Sequence, residues 1–324
     1  ATHHVQAVRT LPGVEIVAAC DVDESVARRF ADQWGIPRAH GSLDDLHRED
    51  PPDVAHVLVP PAAHRAVVEP LLRAGVHVLA EKPLAPDPED CRDLAELALH
   101  SGVRLGVNHN FVFHPVVAQL RRDVSDRQLG KLRHVDSITH VPLRQLDAGQ
   151  HDHWMFRHPG NILLEQGPHP LSQVIALLGP VRDLDVSVSG KQTLRTGQPF
   201  YPTWQLALEC ERGTASVYLS FGHETALQSL VAIGQDGVAR LDLETHTYSL
   251  RRRTRYLEAI DIAATSVAEG FRVASAGVRQ LIAYSLGMLR GRRADAFFRT
   301  MTGRSGEFYR WVREGGESVI DARW

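Results

Sequence analysis

Apolar and polar positions change rhythm about a third of the way along the chain. Up to residue 111, short apolar runs alternate with stretches of helical spacing. VEIVAACD (14–21) reads as a strand, and SVARRFADQWG (25–35) as a helix with a glycine stop and Asp23 as its N-cap. DVAHVLVP (53–60) is the next strand and AAHRAVVEPLLRAG (62–75) the next helix. VHVLAEK (76–82) follows as a strand, then DPEDCRDLAELALHSG (87–102) as a helix capped by Asp87, and RLGVNHN (104–110) as a further strand. Near-continuous apolar strands alternating with helices predict a parallel sheet covered on both faces.

Beyond residue 111 the pattern changes. Residues 115–130 have helical spacing, 132–143 read as a strand, and 162–179 as a helix broken by Gly167 and Pro168. WQLALECERGTASVYLSF (204–221) alternates around Glu211-Arg212-Gly213, and LVAIGQDGVARLDLE (230–244) alternates around Asp236-Gly237. Both read as antiparallel hairpins. Residues 255–315 are mostly helical in pattern. The expectation is two domains, 1–111 and 112–324. The second is an α+β domain with an open, largely antiparallel sheet.

Composition narrows the class of function. The chain has 324 residues, 43% hydrophobic and 23% charged, with a net charge of −3. That is ample for a core and gives no basic surface for nucleic acid or membrane. Cys20, Cys91 and Cys210 are far apart and form no metal or disulfide spacing, which points to a cytoplasmic protein. No apolar run approaches the roughly 18 residues of a spanning helix.

The candidate chemistry sits at strand ends. Ligands of open α/β sheets bind outside the carboxyl ends of the strands. Those ends read Asp21, then Pro60-Pro61 with His64 close behind, then Glu81-Lys82-Pro83, then Asn108-His109-Asn110. A second constellation is Glu165-Gln166-Gly167-Pro168-His169, where Glu165 and His169 at i and i+4 share one helix face. HDHWMFRH (151–158) is histidine-rich, but His151, His153 and His158 do not share a face and no cysteine or carboxylate cluster completes them. No metal is expected. Trp154 and Arg157 are candidate substrate contacts on that loop, while Tyr201 and Trp204 read as packing residues.

Four stretches carry a family resemblance: ACDVD at 19–23, VPPAAH at 59–64, AGVHVLAEKPLA at 74–85 and EQGPHPL at 165–171. The chain resembles the glucose–fructose oxidoreductase / inositol dehydrogenase / MocA family of NAD(P)-dependent oxidoreductases over nearly its whole length. The resemblance implies a Rossmann-like first domain, a hydride transfer between NAD and a secondary alcohol of a sugar or cyclitol, and a homodimer or homotetramer. It implies that Lys82 stabilises the developing alkoxide, that His169 accepts the alcohol proton with Glu165 orienting it or the substrate, and that the Lys82–Pro83 bond is cis. Asp21 would accept the adenosine ribose hydroxyls and disfavour NADP. Pro60, Pro61, His64, Glu81 and Asn108 join it as cofactor-side residues. Two other activities stay open, an NAD-dependent glycoside hydrolysis known in the family and a non-catalytic dinucleotide or sugar sensor. The family's opening strand and glycine-rich phosphate turn have no match here. The chain therefore reads as truncated at its front, stopping early at Asp321-Ala322-Arg323-Trp324, and the piece alone is not expected to hold the cofactor.

Overall fold

The computed structural model describes residues 1–49, 51–252, 258–289, 293 and 295–320, the side chains of residues 258 and 288 excepted. The early stop read at 321–324 lies outside them, as do residues 255–257, 290–292 and 294 of the expected helical stretch. The chain forms two compact units, Ala1–Asn110 with Met301–Trp324, and Phe111–Thr300.

In the first unit, Val54–Val57, His77–Ala80 and Leu105–Val107 pair in parallel in that order. Val57, Val78 and Val107 bury their side chains against Val68 and Leu72 of helix His64–Arg73 and Leu94 of helix Pro88–His100. Full burial of each such side chain is worth about 1.5–3 kcal/mol. Asp87 caps the second helix, accepting the Glu89 N–H at 2.8 Å. Asp23 caps helix Glu24–Trp34 through the Ser25 N–H, and Gly35 ends it at φ 56°, a left-handed turn that favours glycine. The expected strand 14–21 is shorter than its apolar run. Only Ala18–Cys20 finds a ladder partner, the strand Arg38–His40, and the two form a separate parallel pair.

The chain's last described helix differs most from the sequence reading, which placed everything after 111 in the second domain. Its residues from Met301 group with the first unit. Phe308 and Trp311 pack with Leu79, and the buried Arg304 donates from Nε to Val107 O at 2.8 Å. Gly106 makes room for them. A Cβ there would lie 2.5 Å from Arg304 Nη2 and 2.7 Å from Phe308 Cδ2.

The second unit is built on a seven-stranded sheet. Its order is Thr247–Arg252, Gly237–Asp242, Leu227–Gly234, Leu132–Val141, Gly213–Phe221, Thr203–Cys210 and Val181–Ser189. Only Leu132–Val141 and Gly213–Phe221 run parallel; the other neighbours are antiparallel. One face is buried. Trp204, Leu206 and Leu208 alternate inward and join a core with Leu120 of helix Pro115–Ser125 and Val174 and Leu178 of helix Pro168–Leu178. Gln205, Ala207 and Glu209 alternate outward and are exposed. Trp204 Nε1 donates to Tyr201 O at 2.8 Å, in keeping with the packing role read for both.

Candidate active site

The first cluster lies at the end of strand His77–Ala80. The chain leaves the strand through Glu81, Lys82 and a cis Lys82–Pro83 bond. Glu81 is held from three sides. Its Oε1 takes the Asn108 Nδ2 donor at 2.8 Å and lies 2.8 Å from His4 Nε2, while its Oε2 accepts the Lys82 N–H at 3.2 Å. Burial works to raise the Glu81 carboxyl. The hydrogen bond and charge of His4, with the bonds from Asn108 and Lys82, outweigh it and hold the group at about 2. A carboxylate so fixed cannot swing, and it sets the backbone from which the half-buried Lys82 projects.

The network continues inward. His4 Nδ1 lies 2.8 Å from His56 Nδ1, and His56 Nε2 lies 3.3 Å from the Tyr309 hydroxyl. Burial, then the neighbouring His4, push His56 down to about 3, so it is neutral at pH 7. Neither His56 nor Tyr309 was singled out by the sequence.

The other strand ends take distinct parts. Asp21 follows strand Ala18–Cys20, exposed, with one carboxylate oxygen accepting the Asp23 N–H at 3.0 Å. Pro60 is exposed, and Pro61 opens the short helix Pro61–Ala63. His64, grouped above with the cofactor residues, is fully buried. Its Nδ1 lies 3.0 Å from Leu84 O and its Nε2 2.8 Å from Val59 O. The ring therefore fastens the Val59–Pro61 turn to the segment after Lys82, and any part it takes in binding acts through that turn. Asn108 is likewise buried, orienting Glu81, and its buried Oδ1 has no hydrogen-bond partner among the described residues. The residues present fit the ribose end of a dinucleotide. Asp21 offers an exposed acceptor at a strand end, and a short rigid proline turn stands at the end of a second strand.

The second cluster lies within the other unit. Helix Asn161–Gln166 gives way at Gly167 to helix Pro168–Leu178 because Pro168 and Pro170 lack the N–H that would continue the ladder. Gly167 sits close to the preceding turn; a Cβ would lie 2.5 Å from Leu163 O. His169 stacks at a tilt on Phe111, ring centres 4.6 Å apart. Gln166, His169 and Gln173, spaced three and four apart, form one stripe. With Ser137, Thr139 and Gln228 from the sheet, they line a small recess. Besides the imidazole, its polar lining is amide and hydroxyl. Gln166 rather than Glu165 lines it, and Gln173, Ser137 and Thr139 were not foreseen.

The histidine-rich loop is structural in detail. His153 Nδ1 accepts the Met155 N–H, His158 Nδ1 the Gly160 N–H, and His151 Nδ1 the Arg195 N–H. Trp154 opens the short helix Trp154–Phe156 half-buried, and Arg157 is exposed just after it.

Comparison with known proteins agrees with this architecture. Residues 1–109 match the GFO/IDH/MocA oxidoreductase family with its NAD-binding Rossmann fold, and residues 117–240 match the GFO/IDH/MocA C-terminal domain. The chain is 30% identical over 236 residues to a dTDP-3,4-didehydro-2,6-dideoxy-alpha-D-glucose 3-reductase of Streptomyces antibioticus, covering 67% of this chain and 68% of that protein. It is 29% identical to 1-carboxy-3-chloro-3,4-dihydroxycyclohexa-1,5-diene dehydrogenase of Comamonas testosteroni, covering 54% of this chain and 43% of that one. The match thus spans about half to two thirds of these relatives' lengths. Among solved structures, levoglucosan dehydrogenase in complex with NADH and levoglucosan superposes with a TM-score of 0.75 at 15% identity, over 98% of this chain and 88% of that one. This chain belongs to the GFO/IDH/MocA family of oxidoreductases.

Proposed function

We propose that the whole protein is a cytoplasmic NAD-dependent dehydrogenase acting on a secondary alcohol of a sugar or cyclitol. The observation that carries this reading is Lys82 at the strand end, its backbone set by Glu81, which His4 and Asn108 hold. The recess beside His169 supports the substrate class. Amides and hydroxyls there suit a neutral polyhydroxylated molecule better than an anion. Relatives named as a sugar reductase and a levoglucosan dehydrogenase point the same way.

Bound NAD supplies the hydride acceptor. Lys82 donates to the substrate hydroxyl oxygen and stabilises its negative charge as it develops. The His169 imidazole takes the hydroxyl proton through a ring nitrogen, as a general base. Glu165 orients His169 or the substrate, and Trp154 and Arg157 contact the substrate from their loop. Glu81 and Asn108 hold the cofactor side in register, with Pro60, Pro61 and His64 shaping its turn. The test is the full-length protein with NAD against a panel of polyols and sugars, read as NADH absorbance. Glycoside cleavage without net NADH would replace this reading with the hydrolase, and dinucleotide binding without turnover would replace it with a sensor.

Asp21 supports NAD over NADP, since a carboxylate accepts both ribose hydroxyls and repels a 2′-phosphate. In a thermal-shift comparison, NAD should raise the Tm of the full-length protein more than NADP, and Asp21→Ala should narrow the gap. NADP as the better ligand of the unmodified protein would remove the Asp21 assignment.

The uncovered sheet face that carries Gln205, Ala207 and Glu209 supports a homodimer or homotetramer. Light scattering of the full-length protein should give at least twice the chain mass, and a monomer would contradict it.

A further inference from the structure

Helix Glu258–Leu289 is 32 residues long, about 48 Å, and its amphipathic sense is reversed. The side turned to its own chain is small or polar. Asp261, Thr265, Ala268, Ala276 and Ala283 lie at least half-buried there. Arg272 Nη1 donates to Leu250 O at 3.2 Å and, with Arg279, lines the cleft beside strand Thr247–Arg252. The large apolar side chains point the other way. Val267 is 74% exposed, Phe271 75%, Leu281 66%, Val278 58% and Ile260 54%. A helix that faces its own core with alanine and the solvent with phenylalanine has its main packing surface outside this chain.

The spacing of that surface indicates what covers it. From residue 260 to residue 285, eight exposed positions recur at alternating steps of four and three, and seven of them are apolar. This is the ladder of a helix that packs along another helix. The ladder is also self-complementary. If a second copy lies antiparallel about a two-fold axis between Phe271 and Ala274, the ladder maps onto itself. Ile260 then faces Ser285, Ala264 faces Leu281, Val267 faces Val278, and Phe271 faces Ala274. Three of the four pairs set a large side chain against a small one, and the fourth matches two valines.

The area is of the order a stable interface needs. Burial worth about 1.5–3 kcal/mol at about 25 cal/mol/Å² corresponds to roughly 60–120 Å² per side chain. The five ladder residues above, with Ile282 and Leu289 on the same face, are all exposed. They offer on the order of 400–850 Å² per copy, against about 800 Å² per partner in a stable interface. A lipid surface fits less well. The helix contains no lysine, and both described arginines line the cleft on its own chain, where a membrane-surface helix carries a basic polar face.

We propose that the outward face of helix Glu258–Leu289 is an interface with a second copy of this chain, the two helices antiparallel with Phe271 against Ala274. The proposal is independent of the dehydrogenase reading. Its test uses the full-length protein, first by analytical ultracentrifugation. The double variant Phe271→Glu/Val278→Glu should at least halve the assembly mass with an unchanged far-ultraviolet circular dichroism spectrum. Phe271→Leu/Val278→Ile should keep the mass. Ala207→Glu, on the sheet face, should leave this contact standing. An unmodified protein that is monomeric, or a glutamate variant of unchanged mass, overturns the proposal. Cysteine pairing then tests the register. A mixture of Ala264→Cys and Leu281→Cys proteins should form an intermolecular disulfide well above the unmodified background, and Ala264→Cys alone should not. Self-linking of Ala264→Cys without the mixed product would mean a parallel pair and overturn the arrangement. Monomeric protein that sediments with phosphatidylcholine–phosphatidylserine vesicles, and loses this in the glutamate variant, would assign the face to lipid instead.

Discussion

Lys82→Ala and His169→Ala, made separately in the full-length protein, should each lower kcat/KM by roughly 10²–10⁴-fold, the range for a main electrostatic stabiliser or a positioned proton-transfer group. NAD affinity should change little, because neither side chain is assigned to the adenosine or the pyrophosphate. The double variant should lose less than the product of the single losses, since both groups serve one step. Steady-state kinetics on the best substrate of the polyol panel, with NAD binding measured by fluorescence, checks all three. If Lys82→Ala left turnover intact while NAD binding collapsed, Lys82 would be a cofactor anchor and the proposed mechanism would be wrong within a correct family.

The second large effect is on stability in acid. Burial pushes His56 and His109 down to about 3 and His114 to about 4, with Arg304 adding to the effect at His109 and His246 at His114. Unfolded, each ring takes a proton near pH 6.5. Between about 6.5 and the folded value the unfolded chain binds more protons, so stability is fully present above 6.5 and falls as pH falls. By pH 5 each histidine costs about 2 kcal/mol, so roughly 4 in the first unit and 2 in the second. Against a typical domain stability of about 5–15 kcal/mol, the Tm of the first unit should drop by on the order of 10 °C between pH 7 and pH 5. Glu81 acts in a lower window. Its depressed carboxyl contributes above about 4.5, and that contribution is lost as pH falls towards 2. Scanning calorimetry across pH 4–8 distinguishes the two. His56→Asn should flatten the slope between pH 7 and 5, and a Tm constant down to pH 5 would contradict the buried, neutral histidines.

The sequence was legible where chemistry is local. Glu81-Lys82-Pro83 and Asp21 follow short apolar strands directly, so period and position alone placed them at strand ends. The hairpin turn before Gly237 and the break at Gly167 were legible for the same reason. What holds Glu81 was not. His56 and Tyr309 are 253 positions apart, and no spacing rule links them. Arg38–His40 is short and mostly polar, so it carries no strand signal until its neighbour supplies the ladder. Val181–Ser189 does alternate, but Asp183 and Asp185 dilute the apolar pattern, as suits an edge strand that must resist further pairing. The recess beside His169 draws on residues 137, 139, 173 and 228, which only the assembled sheet and helix bring together.

Arg304, Phe308 and Trp311 close the first unit from the far end of the chain. On a ribosome, Leu79 and Gly106 emerge roughly two hundred residues before the helix that covers them. The strand that presents Lys82 therefore waits, with one face open, while the whole second unit is synthesised. The unit whose strands emerge earlier is completed after the second, and a message cut short after residue 300 would yield a finished second unit attached to an unfinished first one.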